Sequence, residues 1–180
     1  MRVYLFIALL SAFLLVASGC STHKDNEKIV YHPLTKTQLD EFISDKNINA
    51  TAKRDLGNVF TVIMFENGAE MGFYTAMSDQ EGKIMSSYVK GNNNKDTIPV
   101  STGGTLSGIP FVTISINDEK ILHDAQSIKV VWEDGHETIE YIENEQSNFI
   151  IPYDDNVTNV KKSYTQIFIY DKNGKVLYKG

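Results

Sequence analysis

The residues able to do chemistry are few and scattered. The chain of 180 residues has one cysteine, Cys20, and four histidines, at 23, 32, 123 and 136. His136-Glu137 opens like a zinc-protease helix motif, but Thr138-Ile139-Glu140 brings no second histidine and the segment alternates like a strand. His123 and His136 flank the stretch SIKVVWEDG at opposite ends, about 20 Å apart if that stretch is extended. Ser107 in GTLSG falls in a Gly-rich stretch between elements, so it is no nucleophile elbow. The neighbouring STGGTLSG lacks the Gly-Lys-Ser/Thr ending of a phosphate loop, and no helix follows it. Asp154-Asp155-Asn156 and Asp171-x-Asn173 are oxygen-rich enough to be weak calcium candidates, through Asp154, Asp155 and Asp171. They lack the twelve-residue calcium-loop pattern and read as solvated turns. Glu140 and Glu143 are where a carboxylate pair could form, although exposed strand faces normally carry such charges. The expectation is no enzyme, no metal and no cofactor.

Cys20 is different, because its surroundings give it a role. Residues 1–20 run from a charged start at Arg2, through an apolar stretch, to the small residues Ala17, Ser18 and Gly19. That is the layout of a secretory signal. The uncharged stretch Val3 to Gly19 is 17 residues, against about 20 for a spanning helix. Ala17-Ser18-Gly19-Cys20 resembles the lipobox of bacterial lipoproteins, with Ala17 where most members have Leu. The resemblance covers residues 1–20 only. It implies cleavage between Gly19 and Cys20, diacylglycerol on the Cys20 thiol and an acyl chain on its new amino terminus. Several chains hold a protein stably on a bilayer where one does not. Two other readings stay open: an ordinary signal peptide cut after Ser18 or Gly19, and an uncleaved signal anchor.

Charge restricts the partners. Without Arg2, 16 basic and 23 acidic residues remain, a net charge of −7. An acidic surface repels phosphate backbones, which excludes nucleic acid, and it cannot hold an anionic membrane, so the lipid must do so. With Cys20 lipidated, no thiol is left for a disulfide, and the domain must fold on its own core. Lysine outnumbers arginine 15 to 2, a bias associated with low-GC Gram-positive bacteria. The expected location is therefore the extracytoplasmic face of the cell membrane, with the outer membrane as the alternative in a Gram-negative host, where Ser21 would permit sorting.

The elements follow from periodicity and turn residues. Residues 1–19 are the leader, and 20–36 the lipidated cysteine and tether. In HPLTKTQLDEFISDKN, Thr35 with Gln38, or Thr37 with Asp40, offers a capping box for one short amphipathic helix over about 37–45, burying Leu39, Phe42 and Ile43. NVFTVIMFE is apolar on both faces and reads as a central strand. Asn67-Gly68 and Gly82 then turn it into a three-stranded antiparallel meander, which closes a unit at 37–95. Residues 96–108 read as a linker or loop. Residues 109–180 hold six strand-like stretches with turns at Asp134-Gly135 and Asn173-Gly174. In IPFVTISIN, Val112, Ile114 and Ile116 alternate with Thr113 and Ser115; Trp132 runs in phase with Ile128 and Val130, as a core residue does. The fold class is mostly β: an antiparallel meander plus a small immunoglobulin-like β-sandwich and one short N-terminal helix. SDQEGKIMSSYVKG and YDKNGKVLYKG echo each other, as two ordinary hairpins or a duplicated unit. Pattern does not decide between one core and two.

The function class that fits is a non-catalytic, membrane-anchored binding module of the cell envelope, its partner an envelope protein or ligand. An enzyme accessory or inhibitor and a structural spacer are the alternatives. A bare strand edge would favour the binder, a large polar pocket the enzyme, and a uniformly charged surface the spacer.

Overall fold

The computed structural model describes residues 29–92, 96–104, 108–143, 146–154 and 162–180. Gly19, Cys20, Ser107 and Asp155 lie outside them. The described chain is mostly β, in antiparallel sheets. No helix among the described residues is long and apolar enough to cross a membrane.

The first sheet holds β1 (Tyr31–His32), β2 (Ala50–Leu56), β3 (Phe60–Asn67), β4 (Glu70–Asp79) and β5 (Ile84–Asn92). Helix α1 (Lys36–Lys46) covers one face of it. The Thr35–Gln38 capping box starts the helix: the Thr35 hydroxyl accepts from the Gln38 N–H, and the Gln38 side chain accepts from the Thr35 N–H. Asn47, in the left-handed region at φ 51°, ends it. Leu39 and Phe42 pack with Ile63, Phe65 and Ala76. Val62, Met64 and Phe73 face the other way. Both faces of β3 are thus covered, which is why Val62 to Phe65 run apolar without a break.

The second sheet, β6 (Val100–Gly103), β7 (Phe111–Ser115) and β10 (Asn148–Pro152), lies against that other face. Its far face packs on a third sheet of β8 (Ala125–Trp132), β9 (Glu137–Tyr141), β11 (Tyr164–Asp171) and β12 (Val176–Lys179). Val112, Ile114, Phe149 and Ile151 meet Ile128, Val130, Trp132, Ile167 and Ile169 there. The order of layers is helix, sheet, sheet, sheet.

Four features differ from the sequence reading. Residues 100–103, inside the expected linker, form β6. β2 and β1 precede the first expected strand. A second short helix, α2 (Glu119–Asp124), is capped by the Asp118 carboxylate. β7 is buried on both faces, Thr113 and Ser115 included. The cause is the stacking: Ile109, Phe111 and Ile150 of the second half share a core with Leu56, Phe60 and Phe73 of the first. Arg54 reinforces that joint, donating from Nη1 to Glu140 at 2.9 Å and to the Ile150 carbonyl at 3.0 Å.

Candidate functional site

One candidate is the outer edge of the first sheet. The Asp79 carboxylate accepts from the N–H of Glu81 and Lys83, and Gly82 takes φ 82°, closing a tight hairpin. The Asp79 N–H donates to the Lys83 carbonyl. Bonded and non-bonded pairs alternate from there along an unbroken register, Ser78 opposite Ile84 to Glu70 opposite Asn92. The main-chain groups of Ile84, Ser86, Tyr88, Lys90 and Asn92 therefore point away from β4. β5 pairs with β4 alone, so its outer side is unpaired among the described residues.

Side chains divide across this strand. Tyr88 stands on the helix face, its ring 5.4 Å from that of Tyr74, which meets Phe42 and Phe65 at 5.3 Å. Lys90 bonds Glu70 at 2.8 Å, and that hydrogen bond and charge hold its ammonium above the ordinary lysine range. Met85, Ser87 and Val89 lie on the opposite face by alternation. Met85, Tyr88 and Val89 are 48%, 57% and 47% exposed. Both faces of the open edge thus carry exposed apolar side chains, Tyr88 on one and Met85 and Val89 on the other.

Beside Ser87 and Val89, on the face away from the helix, is a cleft of about 180 Å³. Phe73, Phe111 and Trp132 line it with Ser87 and Val89 of β5, and Lys162 adds one charge. A Cβ on Gly103 would meet the Phe111 ring, so glycine there lets β6 approach. Small-molecule sites usually run from about 300 to 1,000 Å³. This cleft suits a side chain better than a cofactor.

A polar cluster gathers at the hairpin after β8. Gly135, at φ 86°, turns the chain, and the Asp134 carboxylate accepts from the His136 N–H and the Tyr153 hydroxyl. Those two bonds, with Lys162 at 3.7 Å, hold the Asp134 carboxyl below its ordinary range. The Asp134 bond raises the Tyr153 phenol. The Tyr153 carbonyl accepts from His136 Nε2 and from the Thr138 hydroxyl, both at 3.1 Å. A carbonyl cannot donate, so Nε2 carries the proton. The Thr138 hydroxyl in turn accepts from Trp132 Nε1 at 2.9 Å. Every polar contact here is internal, and the cluster locks β8, β9 and β10 together.

The sequence candidates scatter. Asp171 closes a hairpin, accepting from the N–H of Asn173 and Lys175, and those bonds lower its carboxyl. Asp154 is half-buried beside Tyr153. His123 pairs with Asp124 at the end of α2, and His32 lies in β1. Glu140 goes to Arg54, Glu137 to Lys129, and Glu143 is exposed. Trp132, 1% exposed, is core. Among the described residues no three His, Cys, Asp or Glu side chains come together as a metal would need. Sequence reasoning missed the edge character of β5, which depends on strand order. It also missed the gathering of Tyr153 and Lys162 at Asp134, since neither belongs to a motif. Comparison with family models, with curated proteins and with solved structures finds no match.

Proposed function

We propose that the chain is a non-catalytic lipoprotein, anchored through Cys20 at the extracytoplasmic face of a cell membrane, whose domain is an interaction module. The observation that carries the interaction is the nine-residue β5 edge with Met85, Tyr88 and Val89 exposed along it. An edge of that kind presents a row of unpaired N–H and C=O groups to an incoming strand, with side chains alternating above and below. A spacer has no use for such an edge. Support for the anchor is the lipobox resemblance at Ala17 to Cys20.

The test is a photo-cross-linking residue at position 88 of the full chain in intact cells, with position 53 on β2 as control. An adduct to a polypeptide at 88 and none at 53 is expected. No adduct at 88 would favour the spacer. Fractionation of Cys20→Ala tests the anchor separately: the variant should leave the lipid-modified pool.

A further inference from the structure

The partner that the β5 edge fits is a second copy of this chain. We infer that β5 pairs antiparallel with β5 of that copy about a two-fold axis at Tyr88, joining two five-stranded sheets into one. This rests on the interaction-module reading and specifies its partner.

The other edges are defended in the ways proteins use to avoid pairing. β9 has five residues, among them Glu137 and Glu140; β12 and β6 have four each, β1 has two, and β10 has five and ends at Pro152. β2 carries Lys53, Arg54 and Asp55, and Arg54 ties it to β10. β5 is long, lacks proline, keeps its register without a bulge, and its single charge is engaged by Glu70.

The strand is also complementary to itself. Its outward main-chain groups belong to even-numbered residues, and a two-fold axis at Tyr88 pairs even with even. Tyr88 then exchanges both main-chain bonds with Tyr88 of the second copy. Ile84 faces Asn92, Ser86 faces Lys90, Ser87 faces Val89, and Met85 faces Gly91. No like charges are opposed. The large Met85 meets a residue without a side chain, and open space surrounds Gly91 in the monomer. The tilted Tyr74–Tyr88 ring contact is then continued across the seam by the same pair of the second copy. Exposed Tyr88 on the helix face, and Met85 and Val89 on the other, are then flanked by residues of the second copy.

The symmetry suits a shared membrane. A two-fold normal to the sheet keeps α1 of both copies on one side. Two chains anchored in one bilayer are held near each other, and that confinement raises their effective concentration for pairing.

Differently tagged copies of the full chain, co-produced in one cell, supply the test. Tyr88→Glu alone and Tyr88→Lys alone oppose like charges at the axis and should each lose co-purification. Tyr88→Glu with Tyr88→Lys opposes unlike charges and should restore it, which a misfolded variant could not do. Tyr88→Cys should form a disulfide-linked dimer, since the Cα atoms of a bonded antiparallel pair lie about 5.5 Å apart; Lys53→Cys should not. Failure of the mixed pair to recover, or wild-type copies that do not co-purify, overturns the second copy as partner. If position 88 then still photo-cross-links to a different polypeptide, the interaction-module reading survives. If it cross-links to nothing, both fall.

Discussion

Asp134 and Asp171 each hold a turn through an ionised carboxylate. Their folded values lie below the ordinary 3.8 because main-chain N–H groups donate to the charged form. A depressed carboxyl contributes stability above its unfolded value, and that contribution disappears as pH falls through the folded one. Asp134→Asn should therefore melt below wild type at pH 7, and the gap should begin to narrow as pH falls below about 4. A gap that does not narrow at all as pH falls would mean the cost is one of shape and not charge. The neighbouring Thr138→Val leaves the Trp132 indole N–H without its acceptor inside the core. That should cost about 1–3 kcal/mol by denaturant titration. At this scale part of the molecule was readable: Trp132 as core, from its phase with Ile128 and Val130, and Thr35 as a cap. Tyr153, Lys162 and Arg54 were not, because their partners lie far off in sequence and only the sheet order brings them together.

Three hairpins of the same build mark the element scale. In each, a residue's N–H reaches the carbonyl four positions on, and the intervening turn ends on a left-handed glycine: Asp79 to Lys83, Trp132 to His136 and Asp171 to Lys175. The echo between DQEGK and DKNGK is this turn geometry recurring, with Asp79 and Asp171 each accepting from the N–H two and four residues on. Gly82→Ala should cost about 1–2 kcal/mol, because a Cβ disfavours that φ although space is free. Gly91→Ala, with neither constraint, should stay within about 0.5 kcal/mol. Such turns are legible because a tight hairpin demands glycine. The Asn67-Gly68 signal was displaced by one residue: Gly68 and Ala69 form the loop, and Asn67 pairs as strand with Glu70. β2 and β6 escaped because their strand character is imposed by neighbours. ATAKRDL is half charged, and VSTG is short and small, yet β3 and β7 offer each a ladder to complete. β9 inverts the usual pattern. Its inner positions Thr138 and Glu140 serve Trp132 and Arg54, while Ile139 and Tyr141 face out.

Layering governs the whole molecule. A meander and a sandwich were both visible in the pattern, but not that the middle sheet is buried on both sides. Thr113 and Ser115 look like a solvent face in sequence, and only contact with the first sheet reveals otherwise. Because Phe111 belongs to the core shared by both halves, Phe111→Ala should lower stability by about 3–5 kcal/mol while unfolding stays a single transition by calorimetry and fluorescence. Two transitions, only one of them moved, would mean that the halves fold separately. Above the fold is the question of what covers β5. Amide hydrogen exchange resolved along residues 84–92 reads it directly, comparing the full chain in its membrane with the folded protein at high dilution. The outward N–H groups of Ile84, Ser86, Tyr88 and Lys90 should exchange slowly in the membrane and quickly on dilution, while the inward ones stay protected in both. Equal, rapid exchange of the outward set in both states would contradict an edge built to be paired.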